Sequence, residues 1–501
     1  MVDSKDTFLV IDLGAESGRV NAVHFFNNII EVREIHRFHN GPVQVQSSLF
    51  WDILNLWRNI KDGLKIAAIN YGNSIKGIGL DTWGVDFGLL ATDDSLLGNP
   101  YHYRDRRTDN MMERAFQKVT RGEIFECTGI QFIQLNSLYQ LLSMVESHSP
   151  ILKVAKKFLT IPDLLNFWLS GEKAVEYTIA TTTQCFDPRS GDWAREMLTK
   201  LDIPTDMFGA IIPPGTILGK LRREVANETN LIDVPVIAPA THDTGSAVAA
   251  VPMAGDDAIY LSSGTWSLMG VETKSPIINE HSLNYNFTNE GGVQNTFRFL
   301  KNLMGLWLVQ ECRRKWQSLE GRDYSYQELT ELAEQTAPVP SVILPSDIRF
   351  LRPVDMPSEI SSFCKETEQT VPETKGAIMR CIIQSLALEY RWVAERLSEL
   401  TGRALSKIHI IGGGSQNYLL NQFTADASGY TVISGPVEAT TIGNALVQAM
   451  AKKIISSLAE GRGMIKQSFP LSVFKPKEKE YWDEAYQKYL FLKNSINKNH
   501  F

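Results

Sequence analysis

Short apolar runs alternate along the chain with stretches of helical period. Phe8, Leu9, Val10 and Ile11 form an apolar strand, and from Val20 to Phe26 a second run alternates like another. Residues 51–70 place Ile53, Leu56, Trp57, Ile60, Leu64, Ala67 and Ala68 at helical spacing, which predicts an amphipathic helix lying against a sheet. Residues 75–80 then read as a buried strand, and residues 159–169, through Ile161-Pro162-Asp163, as a passage from strand to helix. Residues 176–183 read as a β-branched loop or strand with no assignable chemistry. Val234, Val236 and Ile237 form an apolar strand, and the small residues 247–250 start a helix. Strand, turn and strand recur at residues 258–270, an echo of the N-terminal pair without sequence identity. Residues 301–310 read as helix, with Asn302 and Gln310 off its apolar stripe. A long helical stripe covers residues 377–400, and Ile408-His409-Ile410-Ile411 is a strand entering three glycines, with a helix from about Tyr418. Residues 431–436 are the next strand and turn, residues 438–445 open a small-residue helix, and the tail beyond Lys475 is charged and helical.

This alternation predicts an α/β protein, and 501 residues exceed what one core usually serves. Two domains follow, divided at 1–245 and 246–501. A net charge of −7 argues against a nucleic-acid partner, which would be bound by an excess of Lys and Arg. No signal core stands in residues 1–6 and no apolar run is long enough to span a bilayer, so neither a membrane nor secretion is expected, and the compartment expected is the cytoplasm. Five cysteines show no metal-ligand spacing; free thiols are expected, with Cys364 and Cys381 the pair whose contact stays open.

The chemistry concentrates in three polar turns. Ala240-Thr241-His242-Asp243-Thr244-Gly245-Ser246 stands between strand and helix, where unpaired backbone N–H groups and the helix dipole favour an anion. Asp243 would there face a reacting hydroxyl; alternatively it is an N-cap, accepting from the N–H of Gly245 or Ser246. In the first turn Asp12 closes a strand and suits hydrated Mg²⁺, and the following Gly14 and Gly18 let backbone approach an anion, although a bulged hairpin has the same pattern. The triple glycine 412–414 clears side chains from a surface where a base and ribose could lie. Between these, residues 81–90 offer Gly84 for close approach, Trp83 as a flat face and Asp86 as a hydroxyl acceptor for a small polyol, or else a hairpin with a core Trp. Tyr103-Arg104-Asp105-Arg106-Arg107-Thr108 is a second polar wall or a solvated helix start.

Six separated stretches resemble the FGGY carbohydrate kinases of the actin, hexokinase and Hsp70 superfamily: DLGAESGR at 12–19, DTWGVDF at 81–87, THDT at 241–244, LSSGTWSLMG at 261–270, KNLMGLWL at 301–308 and HIIGGGSQN at 409–417. The resemblance implies two actin-like, ribonuclease H-like domains with an interdomain cleft, sugar held by the N-terminal half and ATP by the C-terminal half. It implies transfer of phosphate from ATP to L-rhamnulose, giving L-rhamnulose 1-phosphate; another ketose such as L-fuculose or xylulose, or an ATP-dependent switch on the same fold, is the alternative. Carried over by position, Asp243 is the general base, and Gly84, His242, Asp243, Thr244 and Asn302 bind sugar. Ala15, Glu16, Ser17, Gly18, Arg19, Thr265, Gln310 and Gly413 contact ATP, and Asp12 lies near Mg²⁺. Glu16 stands where a small hydroxyl residue is expected, so only its backbone N–H is assigned to phosphate. Ser415 replaces a cysteine found in some members.

Overall fold

The computed structural model describes residues 5–497 apart from Ala254 and Asp256; residues 1–4, part of the segment read as lacking a signal core, lie outside it. The chain folds into two compact α/β units. The first takes the chain through Pro252 together with Glu272–Phe299 and Glu438–Phe469, and the second takes Met253–Val271, Leu300–Val437 and Pro470–Phe501. Residues 246–252 and two later segments from beyond the expected division at 245/246 thus join the first unit. The last of them carries the helix Ala439–Ala451, whose Gln448 Nε2 donates to Leu9 O at 3.0 Å and whose Asn444 Nδ2 donates to Asp81 Oδ2 at 2.5 Å.

The sheet of the first unit runs Thr216–Lys220, Pro235–Ala238, Ile75–Thr82, Asp6–Leu13, Ser17–Phe26, Ile29–His39. Asp6–Leu13 lies at its centre, antiparallel to Ser17–Phe26 and parallel to Ile75–Thr82. Its near-continuous burial explains the unbroken apolar run that marked it in the sequence. The helix Ile53–Tyr71 buries Ile53, Leu56, Ile60, Leu64 and Ala67, the expected stripe, and begins after Asp52, which accepts from Asn55 N at 3.1 Å. Trp57 is only half-buried, edge-on to Trp168 at 5.6 Å.

The second unit repeats the arrangement. Ala258–Ser263 is antiparallel to Trp266–Thr273 and parallel to Lys407–Ile411, followed by Thr431–Ser434 in parallel and Ser472–Phe474 in antiparallel pairing. An antiparallel pair joined to a parallel strand is the ribonuclease H-like plan, so the echo between halves is one of topology. The helix Lys375–Thr401 covers its predicted stripe, and the helix Tyr418–Ser428 begins where one was expected. Residues 301–310 differ from expectation: Phe297–Met304 is a strand, and the helix is Trp307–Glu320. Gly305 separates them because a Cβ there would lie 2.5 Å from Ser267 Oγ and 2.8 Å from the backbone of Trp266, which leaves no room to continue one element into the other. All five cysteines are free thiols, and among the described residues no helix is long and apolar enough to cross a membrane.

Candidate active site

Asp243 opens the helix Asp243–Ala249, and His242 occupies the capping position without a side-chain cap. The N–H of Ser246 donates to His242 O at 3.1 Å, so the capping role considered for Asp243 is not the one it takes. Its Oδ1 accepts from the N–H and hydroxyl of Thr244, the latter at 3.1 Å, and among the described residues no hydrogen bond falls on Oδ2. The side chain keeps 30% of its surface exposed. Burial of the carboxylate, with the charge of Asp12 second, raises its pKa to about 7.

The segment leading to Asp243 is fastened from below. Thr82 N–H donates to Thr241 O at 2.9 Å, which sets residues 241–242 beside the end of Ile75–Thr82. Glu176, fully buried, accepts from Thr241 N at 3.0 Å, Thr241 Oγ1 at 2.8 Å, Thr178 N at 2.9 Å and Thr178 Oγ1 at 2.5 Å. His242 N–H donates to Thr178 Oγ1 at 3.2 Å, Val85 N–H to Thr182 Oγ1 at 3.2 Å, and Gly291 N–H to Thr181 Oγ1 at 2.8 Å. The β-branched run 176–183 is therefore a short strand and helical turns whose hydroxyls anchor three backbone segments. Its signal was a lone acidic residue inside an apolar run, a type almost never fully buried unless paired.

Gly84 lies at this junction, where an added Cβ would come 3.1 Å from Thr182 Oγ1 and 3.4 Å from His242 Nε2. Val85 beside it has φ +69°, a left-handed conformation that strains a β-branched residue and is held by its bonds to Thr182 and Ser137. Gly84, His242, Asp243 and Thr244 thus share the first unit. Asn302 belongs to the second, half-buried on Phe297–Met304.

Asp86 and Trp83 do not take the sugar-facing roles read from sequence. The Asp86 carboxylate is buried and accepts from Trp51 Nε1 at 2.6 Å, Trp83 Nε1 at 3.0 Å, Tyr103 N at 3.1 Å and Gln140 Nε2 at 2.8 Å. Trp83 packs on Trp51 with ring centroids 3.9 Å apart. Asp86→Asn is accordingly expected to destabilise the protein by about 1–2 kcal/mol, because an amide turns donors toward donors, while sugar affinity in the folded fraction stays unchanged. Thermal melts and initial-rate kinetics check both.

In the first turn Asp12 is paired across strands with Arg19 and Asp81. Arg19 donates to Asp12 Oδ2 at 2.9 Å and to Glu438 Oε2 at 2.5 Å, and its attraction to these carboxylates outweighs burial and raises its pKa. Ala15, Glu16 and Ser17 are half-exposed, whereas Gly18 is buried, where an added Cβ would stand 2.3 Å from the Phe38 ring. That glycine serves packing, and the N–H of Gly14 is already bonded to Ser17 O at 2.9 Å.

In the second unit three candidates gather at the end of Ala258–Ser263. Thr265 O accepts from Gly305 and Trp307 N–H groups, both at 3.1 Å, and Gln310 Nε2 donates to Thr265 Oγ1 at 3.2 Å. Gln310 Oε1 is buried and has no hydrogen-bond partner among the described residues. Of the three glycines, Gly412 has φ +80° and Gly414 abuts Ser263, whose Oγ would lie 2.0 Å from an added Cβ; at Gly413 there is open space. Gly413→Ala should therefore leave stability unchanged and raise the KM for ATP by about tenfold, as a lost packing surface of about 1.4 kcal/mol would. An unchanged KM would remove Gly413 from the nucleotide surface.

Residues 7–250 match the N-terminal domain, and residues 259–452 the C-terminal domain, of the FGGY family of carbohydrate kinases. The chain is 46% identical to "Rhamnulokinase" of Bacteroides thetaiotaomicron over 98% of its length and 100% of that protein's. It is 41% identical to "Rhamnulokinase" of Oceanobacillus iheyensis, over 93% of this chain and 97% of that one. Among solved structures, the gluconate kinase from Lactobacillus acidophilus superposes with a TM-score of 0.81 at 17% identity, covering 98% of each chain. The Plasmodium falciparum glycerol kinase with ADP gives 0.77 at 14% identity, also over 98% of each. At these identities the structural likeness is one of fold, and the family rests on the sequence matches. The chain belongs to the FGGY family of carbohydrate kinases.

Proposed function

We propose that the protein transfers the γ-phosphoryl group of ATP to L-rhamnulose, forming L-rhamnulose 1-phosphate and ADP, with Asp243 as general base. The observation that carries the chemistry is the unpartnered Oδ2 of Asp243, on a carboxylate whose other oxygen is tied to Thr244. One oxygen orients the group and the other is open to a hydroxyl proton. The proton leaves as the oxygen attacks phosphorus, so the base works by position, and the transfer is otherwise a matter of alignment and charge stabilisation. Gly84 and the His242 ring supply the close backbone approach and the polar edge that a polyol needs. The choice of sugar rests on the relatives named above.

ATP suits the second unit: open space at Gly413, the Thr265 turn and the buried, unpartnered Gln310 Oε1, which fits a donor from base or ribose. Arg19 and the half-exposed backbone of Ala15, Glu16 and Ser17 are assigned to phosphate. Mg²⁺ suits Asp12, since the adjacent Asp81 has a buried Oδ1 with no hydrogen-bond partner among the described residues, and one or two carboxylates are what this cation takes from protein. Bound there, it would supply charge neutralisation of the phosphates. The protein is assigned to the cytoplasm, with sugar and nucleotide as its partners and no nucleic acid.

Release of ADP measured over L-rhamnulose, L-fuculose and xylulose tests the assignment. The expected result is preference for L-rhamnulose with a product phosphorylated at O1. A strong preference for another ketose would replace the substrate, and sugar-independent ATP hydrolysis without phosphosugar would replace the reaction.

A further inference from the structure

A buried ionic group behind His242 has no part in the chemistry described so far. Arg298 lies in the strand Phe297–Met304 with no exposed surface at all. Its Nε donates to Gly291 O at 2.8 Å, and its Nη2 lies 2.9 Å from His242 Nδ1 and 3.2 Å from Glu290 Oε2. Glu290 is itself buried, with Oε2 3.4 Å from the same Nδ1. A guanidinium carries donors only and does not lose its proton in proteins. At 2.9 Å it can hydrogen-bond Nδ1 only if that nitrogen presents a lone pair; a proton on Nδ1 would set two N–H groups against each other. The longer contact with Glu290 does not compete, and its carboxylate is taken as the counter-charge of Arg298.

We propose that Arg298, balanced by Glu290, is a positioning residue that fixes His242 as the neutral Nε2–H tautomer, so that the ring offers a hydrogen-bond donor toward the sugar. Nε2 is the ring atom on the working side: it lies 3.4 Å from Asp243 Oδ1 and 3.4 Å from where a Cβ on Gly84 would stand. The opposite tautomer would turn a lone pair toward the Asp243 carboxylate and toward a sugar oxygen, repelling both. A protonated ring would instead pair with Asp243 and hold the base in an ion pair. Burial, reinforced by the Arg298 charge, depresses the His242 pKa well below the ordinary imidazole value, which agrees with a neutral ring. The sequence signal was a lone arginine in the apolar run Phe297-Arg298-Phe299-Leu300. The inference rests on the sugar-kinase reading only for the donor's target; the tautomer stands on its own geometry.

Long-range proton–nitrogen correlation spectra of the whole protein labelled with ¹⁵N-histidine test it, with His242 assigned by its disappearance in His242→Gln. The expected result is one protonated nitrogen, Nε2, and one bare nitrogen, Nδ1, unchanged between about pH 6 and 8. Arg298→Met, and the double variant Arg298→Met with Glu290→Gln that leaves no lone buried carboxylate, should each give a mixture of tautomers. They should also raise the ketose KM about tenfold with the KM for ATP unchanged, and Arg298→Lys should recover part of the loss. An Nδ1–H or doubly protonated ring in the wild type overturns the proposal, and so does an unaltered tautomer in the double variant. Failure of every ketose as acceptor would sink the functional reading while leaving the spectra to decide the tautomer.

Discussion

Asp243→Asn is expected to lower ketose phosphorylation between about 10²- and 10⁴-fold, the span contributed by a positioned general base, with the KM for ATP unchanged. The amide keeps an oxygen for the two bonds from Thr244 and presents a group unable to take a proton where Oδ2 stood. The same variant should melt higher than the wild type at alkaline pH. The folded carboxylate titrates at about 7 against an ordinary 3.8, so folding disfavours its ionised form, and this cost appears as pH rises from about 4 and is complete above about 7. At full burial such a difference corresponds to about 4 kcal/mol; the 30% exposure of the side chain lets water screen it to about 1–2 kcal/mol. Melting curves at pH about 4 and about 8 should therefore coincide at the first and separate at the second. In the wild type, kcat/KM should fall on the acid side of about pH 7, where the base is protonated. Because the Asp12 charge is the second cause of the raised value, Mg²⁺ held at Asp12 should move that limb to lower pH as its concentration rises. Wild-type turnover in Asp243→Asn would end the general-base assignment.

Elements whose burial follows a simple period were legible in the sequence, and those set by distant partners were not. The central strand Asp6–Leu13, the helix Ile53–Tyr71 and the helix Lys375–Thr401 each carry the apolar spacing of their own geometry. Lys301-Asn302-Leu303-Met304 fits a helix equally well by composition; a close contact with Ser267, more than thirty residues earlier, decides for strand and turn. The same division runs through the site. Asp243, His242 and Gly84 lie in motifs that can be read locally, and the first unit brings them together. Glu176 acts on Thr241 from 65 positions away and Arg298 on His242 from 56, with Glu290 beside it, so only the folded chain reveals them; as single letters they are two acids and a base. Asp86 is the converse case: its motif position suggested a ligand, and four protein donors claim it.

Gly443→Ala is expected to destabilise the protein by about 3 kcal/mol or more, at or beyond the upper end for overpacked cores. Gly443 lies in the helix Ala439–Ala451 where it crosses the helix Asp243–Ala249, and an added Cβ would come 1.7 Å from Ser246 O and 2.7 Å from Ser246 C. The obstacle is backbone, so no rotamer change relieves it and one helix must move. Neither is free to: the first is tied through Thr441 to Asp12, Asn444 to Asp81 and Gln448 to Leu9, and the second carries Asp243 at its start. The melting temperature should fall by about 6 °C or more, at roughly 2–4 °C per kcal/mol for units of this size. Activity should fall further than stability explains, since a displacement of about 1 Å at a reacting group costs on the order of 10²-fold. Gly463→Ala is the matched control: it lies in the helix Leu458–Ser468 with nothing within 4 Å of an added Cβ, and there alanine should stabilise by about 0.5–1 kcal/mol. Equal melting temperatures for the two variants would show that the helices do not meet as closely as this crossing requires, and the placement of Asp243 over the sheet would have to be revised with it.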